Sequence, residues 1–287
     1  AHWHAHKSAL ATCQAAGTTH SAPLNHACMD LFYKQYGENR PPLVILHGLL
    51  GASGNWHTLS RSVFSDVATV YTVDQRNHGR SPHADRFDYP AMAEDVRALI
   101  QQEAGGSATV LGHSMGGKTA MQLALTHPDV VDRLIIADMA PRAYPPHHRP
   151  LIRALQALDL AAYDSRSAID DALADDVPAY PIRQFLLKNL DYDDGRYTWQ
   201  MNLDVIAEKY DHINAPITSD RTFSKPTLVL RGEHSDYVTE ADVQHIRTLF
   251  PNAESVTLPG AGHWVHADAP DAFASAVVDF LEDGSAD

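Results

Sequence analysis

The chain has 287 residues and a formal net charge of −14, from 22 Lys and Arg against 36 Asp and Glu. So acidic a chain is a poor ligand for nucleic acid or an anionic membrane surface, and its longest apolar runs, such as Leu43-Val44-Ile45-Leu46, are far too short to span a bilayer. With 44% hydrophobic and 20% charged residues, the composition is that of a globular protein able to bury a substantial core, and a cytoplasmic location is expected.

Residues 1–28 look foreign to the rest of the chain. His2, His4 and His6 alternate in a segment rich in Ala, Thr, Ser and His with no apolar period, and without the basic start and compact apolar run of a secretory signal. An added or variable extension ending near Met29 is the expectation. The alternating histidines could bind a metal, although a polar tail without a role is the simpler reading. Cys13 and Cys28 are the two cysteines, so a bridge between them is open while the rest of the chain has no disulfide framework.

Asp30 to Gly37 alternates like a strand and ends in a turn. Pro41 to Leu46 reads as a central strand running into His47-Gly48-Leu49-Leu50-Gly51. A helical stretch from Trp56 to Val67 comes next, then a strand over Thr69–Asp74 closed by the polar run Asp74-Gln75-Arg76-Asn77-His78-Gly79-Arg80-Ser81, which should brace neighbouring loops. Tyr89 to Glu103 has helical spacing in Met92, Val96, Leu99 and Ile100. After it stand the short β-branched strand Ser107–Leu111, then Gly112-His113-Ser114-Met115-Gly116-Gly117, and then a run of good helix formers from Lys118 to Leu125. A strand, a tight turn with glycines flanking a serine, and a helix form the context in which G-x-S-x-G denotes a nucleophile elbow. The glycines are required because a side chain there would meet neighbouring backbone. A phosphate cradle is the competing reading, but no Gly-Lys-Ser/Thr is present.

Asp132–Asp138 is the next strand, ending in an acid. The pattern then changes: residues 145–215 contain no strand of the central type and read as four helices, over 151–160, 166–175, 182–190 and 203–210. Such an insertion is expected to be an all-helical lid, dividing the chain into residues 1–28, a core of 29–144 and 216–287, and a lid of 145–215. Its candidate pocket residues are Phe185, Leu186, Trp199, Met201 and Tyr210, each of which also fits a plain lid core. Strands return over Lys225–Arg231 and Ala253–Leu258, the second leading into Pro259-Gly260-Ala261-Gly262-His263-Trp264-Val265-His266, and a helix from Pro270 to Leu281 closes the chain. Strands alternating with helices imply a parallel sheet covered on both faces.

A serine alcohol needs a base oriented by a carboxylate to act as a nucleophile, and elbow folds supply these in the order Ser, acid, His. Ser114 takes the first role. His263, in a glycine-flanked loop after the final strand, takes the last, while His266 reads as a capping or solvent residue. The backbone N–H groups of Leu49 and Met115 stand where an oxyanion hole forms. His47 is better read as a loop-fixing histidine than as the base.

His-Gly-Leu-Leu-Gly, Asp-Gln-Arg-Asn-His-Gly-Arg-Ser, Gly-His-Ser-Met-Gly-Gly-Lys and Gly-Ala-Gly-His-Trp-Val-His-Ala together resemble the α/β-hydrolase superfamily. More narrowly, over residues 29–282, they resemble its small lidded esterases of the YbfF type. The resemblance implies an α/β-hydrolase fold with an inserted lid, and a Ser-His-Asp enzyme without metal or cofactor. Many members place the acid in a pattern Gly-Glu-x-Asp-x-x-Val. Here that slot holds Ser235 and Asp236 falls one residue late, whereas the resembled esterases carry an acid at the position of Asp138. Asp138 is therefore favoured over Asp236, with Ser235 free to hydrogen-bond within the triad. Adjacent strand ends lie only ~5 Å apart, so either acid could reach the base. The function expected is hydrolysis of short-to-medium acyl esters, small-molecule substrates, through an acyl-enzyme. Thioesterase or other serine acyl-hydrolase chemistry, or a ligand receptor retaining the triad, stands as the alternative. The oligomeric state is not readable from the sequence.

Overall fold

The structure, a computed structural model, describes residues 28–283. The expectations for residues 1–27, including the metal-binding histidines and a Cys13–Cys28 bridge, lie outside the described residues.

Seven strands form one sheet: β1 (Tyr33–Tyr36), β2 (Pro42–Leu46), β3 (Thr69–Val73), β4 (Ala108–His113), β5 (Val131–Ala137), β8 (Thr227–Gly232) and β9 (Ala253–Leu258). Two further strands, β6 (Leu190–Asp193) and β7 (Arg196–Trp199), lie in the insertion. The order across the sheet is β1-β3-β2-β4-β5-β8-β9, parallel throughout except for the antiparallel edge pair β1–β3. Burial on both faces explains why the central strands read as continuous apolar runs. Successive side chains point to opposite faces, so Val44, Leu46, Val110, Leu134, Ile136 and Val229 pack into one core. Leu43, Ile45, Leu111, Ile135, Leu228 and Leu230 pack into the other, with Trp56, Phe64 and Phe273. Each such side chain, wholly withdrawn from water, contributes about 1.5–3 kcal/mol, so the two layers of covering helices hold the sheet.

The helices of the first layer are α2 (Tyr89–Glu103) and α3 (Met115–Thr126). α2 is capped by the Asp88 side chain, which accepts from Ala91 N–H. On the other face lie α1 (His57–Ser62), within a stretch otherwise broken into 3₁₀ turns, and α11 (Pro270–Glu282). α9 (Glu240–Leu249) precedes β9 and α10 (Val265–Asp268) comes after it.

Between β5 and β8 the chain leaves the sheet and forms α4 (Arg149–Ala157), α5 (Arg166–Leu173), α6 (Tyr180–Leu186), the strands β6 and β7, α7 (Leu203–Glu208) and α8 (Tyr210–Asn214). This segment is not all-helical as expected from its sequence. β6 and β7 pair antiparallel as a hairpin, turned by Asp194 and Gly195 with φ of 47° and 78°. Asp-Gly between aromatic and β-branched residues favours such a turn, a signal that the surrounding helical periodicity outweighed. The single helix expected over 203–210 is two, meeting at Lys209, and the one expected to run to 190 ends as α6 at Leu186. The outgoing and returning connections lie side by side, with Tyr144 N–H donating to Asn214 O and Ile217 N–H to Pro141 O. No helix among the described residues is long and apolar enough to cross a membrane.

Candidate active site

The turn from β4 into α3 holds Ser114 at φ 54° and ψ −119°, a backbone region that L-residues rarely occupy. Neighbouring main chain forces this conformation. A Cβ on Gly112 would stand 2.1 Å from Gly116 O, and one on Gly116 would stand 2.4 Å from Leu46 O. The serine is left at the C-terminal edge of the sheet, where open α/β folds bind ligands.

His263, on the loop between β9 and α10, reaches the serine from the far side of the sheet order. Its Nε2 lies 3.1 Å from Ser114 Oγ and its Nδ1 lies 2.8 Å from Asp138 Oδ2. Because a carboxylate accepts, Nδ1 carries the proton and Nε2 is bare toward the serine hydroxyl, the tautomer a general base requires. Asp138 is fully buried at the end of β5, with φ 50°. Its carboxylate also accepts from Gly232 N–H at 3.1 Å and from the Ser235 hydroxyl, so a buried charge is met by three donors. Asp236 has no such place: its side chain is exposed, and its main-chain oxygen accepts from Arg142. The one-residue offset read in the sequence puts a hydroxyl, not a second carboxylate, beside Asp138.

Leu49 and Met115 both line the cavity that contains Ser114. Met115 is the first residue of α3, so its N–H has no intrahelical acceptor. Gly48 is the close approach on the other side, since a Cβ there would lie 3.2 Å from the Ser114 Cβ. His47 makes no contact with the serine. Its Nε2 accepts from Gln75 N–H at 3.0 Å and its Nδ1–H donates to Gly48 O at 2.8 Å. Burial holds its pKa down, so it is a neutral strut for the loop. Asp74 accepts from the N–H groups of Ser53 and Arg80. Arg76 and Asp95 form a buried two-pronged pair at 2.6 and 2.7 Å. These residues brace the loops, as their sequence suggested.

The cavity at Ser114 has a volume of about 30 Å³. Of the five residues expected to line it, only Tyr210 does. Trp199 and Met201 follow the hairpin turn away and line a separate cleft of about 460 Å³ against Leu155, Leu158 and Leu203. Leu186 is wholly buried in the insertion's core, and Phe185 packs on Trp264 with ring centroids 5.8 Å apart. Tyr89, Tyr144, His147, His148 and Tyr237 form walls that sequence reasoning missed. The Tyr237 ring stacks on His263 at 3.6 Å and 17°, and its hydroxyl faces His147 Nε2 at 3.3 Å. Burial pushes its pKa up to about 12, so the phenol stays neutral. The sequence offered no direct signal for these walls, beyond the His147-His148 pair itself. His266 is also not the capping or solvent residue expected. Its ring stacks on Trp56 at 4.3 Å, its Nδ1 is buried without a hydrogen-bond partner, and burial lowers its pKa to about 4.

The alpha/beta hydrolase family matches residues 43–276 of this sequence. The chain belongs to the alpha/beta hydrolase family. Among curated members of the family, the sn-1-specific diacylglycerol lipase ABHD11 of Mus musculus is 42% identical over 248 residues, 84% of this chain and 81% of that protein. Esterase YbfF of Escherichia coli strain K12 is 34% identical over 250 residues, 87% and 96% of the two chains. Among solved structures, a marine microorganism esterase is 42% identical and superposes with a TM-score of 0.85, covering 88% of this chain and 99% of that one. These relatives make the protein an esterase/lipase-type alpha/beta hydrolase.

Proposed function

We propose that the protein is a serine carboxylesterase acting on short-to-medium acyl esters through an acyl-enzyme intermediate, with Ser114, His263 and Asp138 as its triad. One observation carries this reading: the continuous run from Ser114 Oγ to His263 at 3.1 Å and from His263 to Asp138 at 2.8 Å.

In the proposed cycle, Ser114 Oγ attacks the ester carbonyl while His263 Nε2 takes its proton. The negative charge that develops on the carbonyl oxygen is met by the N–H groups of Leu49 and Met115, each worth about 3 kcal/mol in such a site. The imidazolium, held by Asp138, returns its proton to the departing alcohol. A water then attacks the acyl-enzyme with His263 again as base, and collapse frees the acid and Ser114. No step calls for a metal or cofactor. The insertion, residues 145–215, acts as a lid in this reading, since Tyr210, Ile213 and His148 from it wall the cavity. The apolar and aromatic lining of the cavity, with Leu49, Tyr89, Met139, Tyr144 and Ile213, supports an acyl group as the part bound there. A glyceride ester is the second reading, favoured by the diacylglycerol lipase named among the relatives.

Ser114→Ala is expected to abolish hydrolysis of p-nitrophenyl butyrate and labelling by a fluorophosphonate. Near-wild-type turnover in that variant would refute the serine mechanism. A series of p-nitrophenyl esters from acetate to palmitate tests the pocket, and a preference for the longest chains would favour the glyceride reading.

A further inference from the structure

Ser114 and His263 come from opposite parts of the chain, 149 residues apart. The elbow fixes the serine, but the histidine rides on a loop, and a displacement of ~1 Å in such a pair can cost about 100-fold in rate. One side chain ties the loop back from the nucleophile's own strand. His113, the last residue of β4, places its Nε2 2.9 Å from the main-chain oxygen of His263. A carbonyl only accepts, so Nε2 carries the proton of His113 and its Nδ1 is bare. That bare edge faces Gly48, where a Cβ would come within 3.1 Å of Nδ1. The ring therefore adjoins three working parts at once: it precedes the nucleophile, bonds the base's main chain and packs on the glycine before Leu49.

His113 is only 4% exposed, and its centroid lies 4.8 Å from the His263 ring and 4.9 Å from the His266 ring. Burial, reinforced by those two histidines, holds its pKa well below the usual value. It remains a neutral donor, and a second cation does not arise beside the imidazolium that His263 must become.

We propose that His113 is a positioning residue: its Nε2–H···O bond to the main chain of His263 holds the base in line with Ser114. The inference rests on the serine-esterase reading and adds a role to a residue outside the triad.

Three substitutions test it. His113→Leu removes the donor. His113→Gln carries an amide N–H to about the reach of the imidazole Nε2, and His113→Asn stops short of it. With p-nitrophenyl butyrate, the Leu and Asn variants should lose about 10- to 100-fold in kcat, with KM held within about threefold, and should be labelled by a fluorophosphonate correspondingly more slowly. The Gln variant should recover to within about threefold of wild type. Should His113→Leu fail to fold by circular dichroism, the Gln and Asn pair decides alone. The proposal is overturned if Leu and Asn stay within about twofold of wild type, or if Gln is as slow as Asn. A fall in Tm alone, with kcat per labelled serine unchanged, also overturns it. A wild-type protein that takes up no fluorophosphonate would instead sink the serine reading, and this inference with it.

Discussion

Asp138 sits in a left-handed backbone conformation directly after β5, and that strained turn aims a buried carboxylate at His263. Asp138→Asn keeps the shape but supplies an amide that can donate to Nδ1, which favours the wrong imidazole tautomer. A loss of about 10⁴-fold in kcat is the expected result. Asp236→Asn, on an exposed side chain, should stay within about twofold, and steady-state kinetics on the two variants separates them. Equal small losses would remove both from the triad. Sequence reading reached Ser114 and His263 because their positions are dictated by local chemistry: glycines that admit close backbone, and a strand end that leads into a glycine-flanked loop. It favoured Asp138 through resemblance and left Asp236 open, because only the fold shows which strand end faces the imidazole. Tyr237 and His113 were illegible in their roles for the same reason. A ring stacked on His263 and a bond spanning 150 residues are facts of tertiary packing, not of spacing.

α3 follows directly on Ser114 and, one turn later, carries the buried side chain of Lys118. The Lys118 Nζ donates to Ala215 O at 2.6 Å and lies 4.9 Å from the Tyr144 ring, so the elbow helix grips both connections to the insertion. Burial pushes the Lys118 pKa down to about 7. The unfolded chain therefore holds this proton up to the ordinary lysine value of 10.5, while the folded chain releases it near 7. Between those values the unfolded state binds more protons, and the contribution of this group to stability rises with pH. Lys118→Met should remove that rise. Urea midpoints of wild type and variant, compared at pH 7 and pH 9, should show wild type gaining relative to the variant. Parallel behaviour of the two would mean that Lys118 does not titrate in this window. At this scale the central strands were readable as short continuous apolar runs, the edge strand β1 from its alternation, and α2 from its 3.6-residue period. The β6–β7 hairpin was not: Leu190-Asp191-Tyr192-Asp193 and Arg196-Tyr197-Thr198-Trp199 do alternate, but four-residue strands are too short for that period to outweigh the helices around them.

Over the whole molecule, the same burial acts with the same sign in the acid range. His47, His78 and His113 are enclosed, and His148 and His266 are packed by their neighbours while still partly exposed. Burial is the leading cause that lowers all five, to about 3 for His78 and about 4 for His148 and His266. Each stays neutral in the fold at a pH where the unfolded chain takes up a proton. The stability they contribute is thus complete above the ordinary histidine value of 6.5 and drains away as pH falls from there toward 4. The slope is about 1.4 kcal/mol per pH unit for each proton taken up. Asp88 and Glu94, whose pKa values hydrogen bonds and nearby cations hold down against burial, add their loss only as pH falls below their ordinary values of 3.8 and 4.5. Asp95 opposes the trend, since burial raises its pKa, but it is one group against five. The urea midpoint should therefore fall steeply between pH 7 and pH 5, before the ordinary carboxylates are protonated. His266→Phe, which keeps an aromatic ring against Trp56, should reduce the slope by about one proton. A midpoint unchanged between pH 7 and pH 5 would show that these histidines are already protonated in the fold, or that water reaches them.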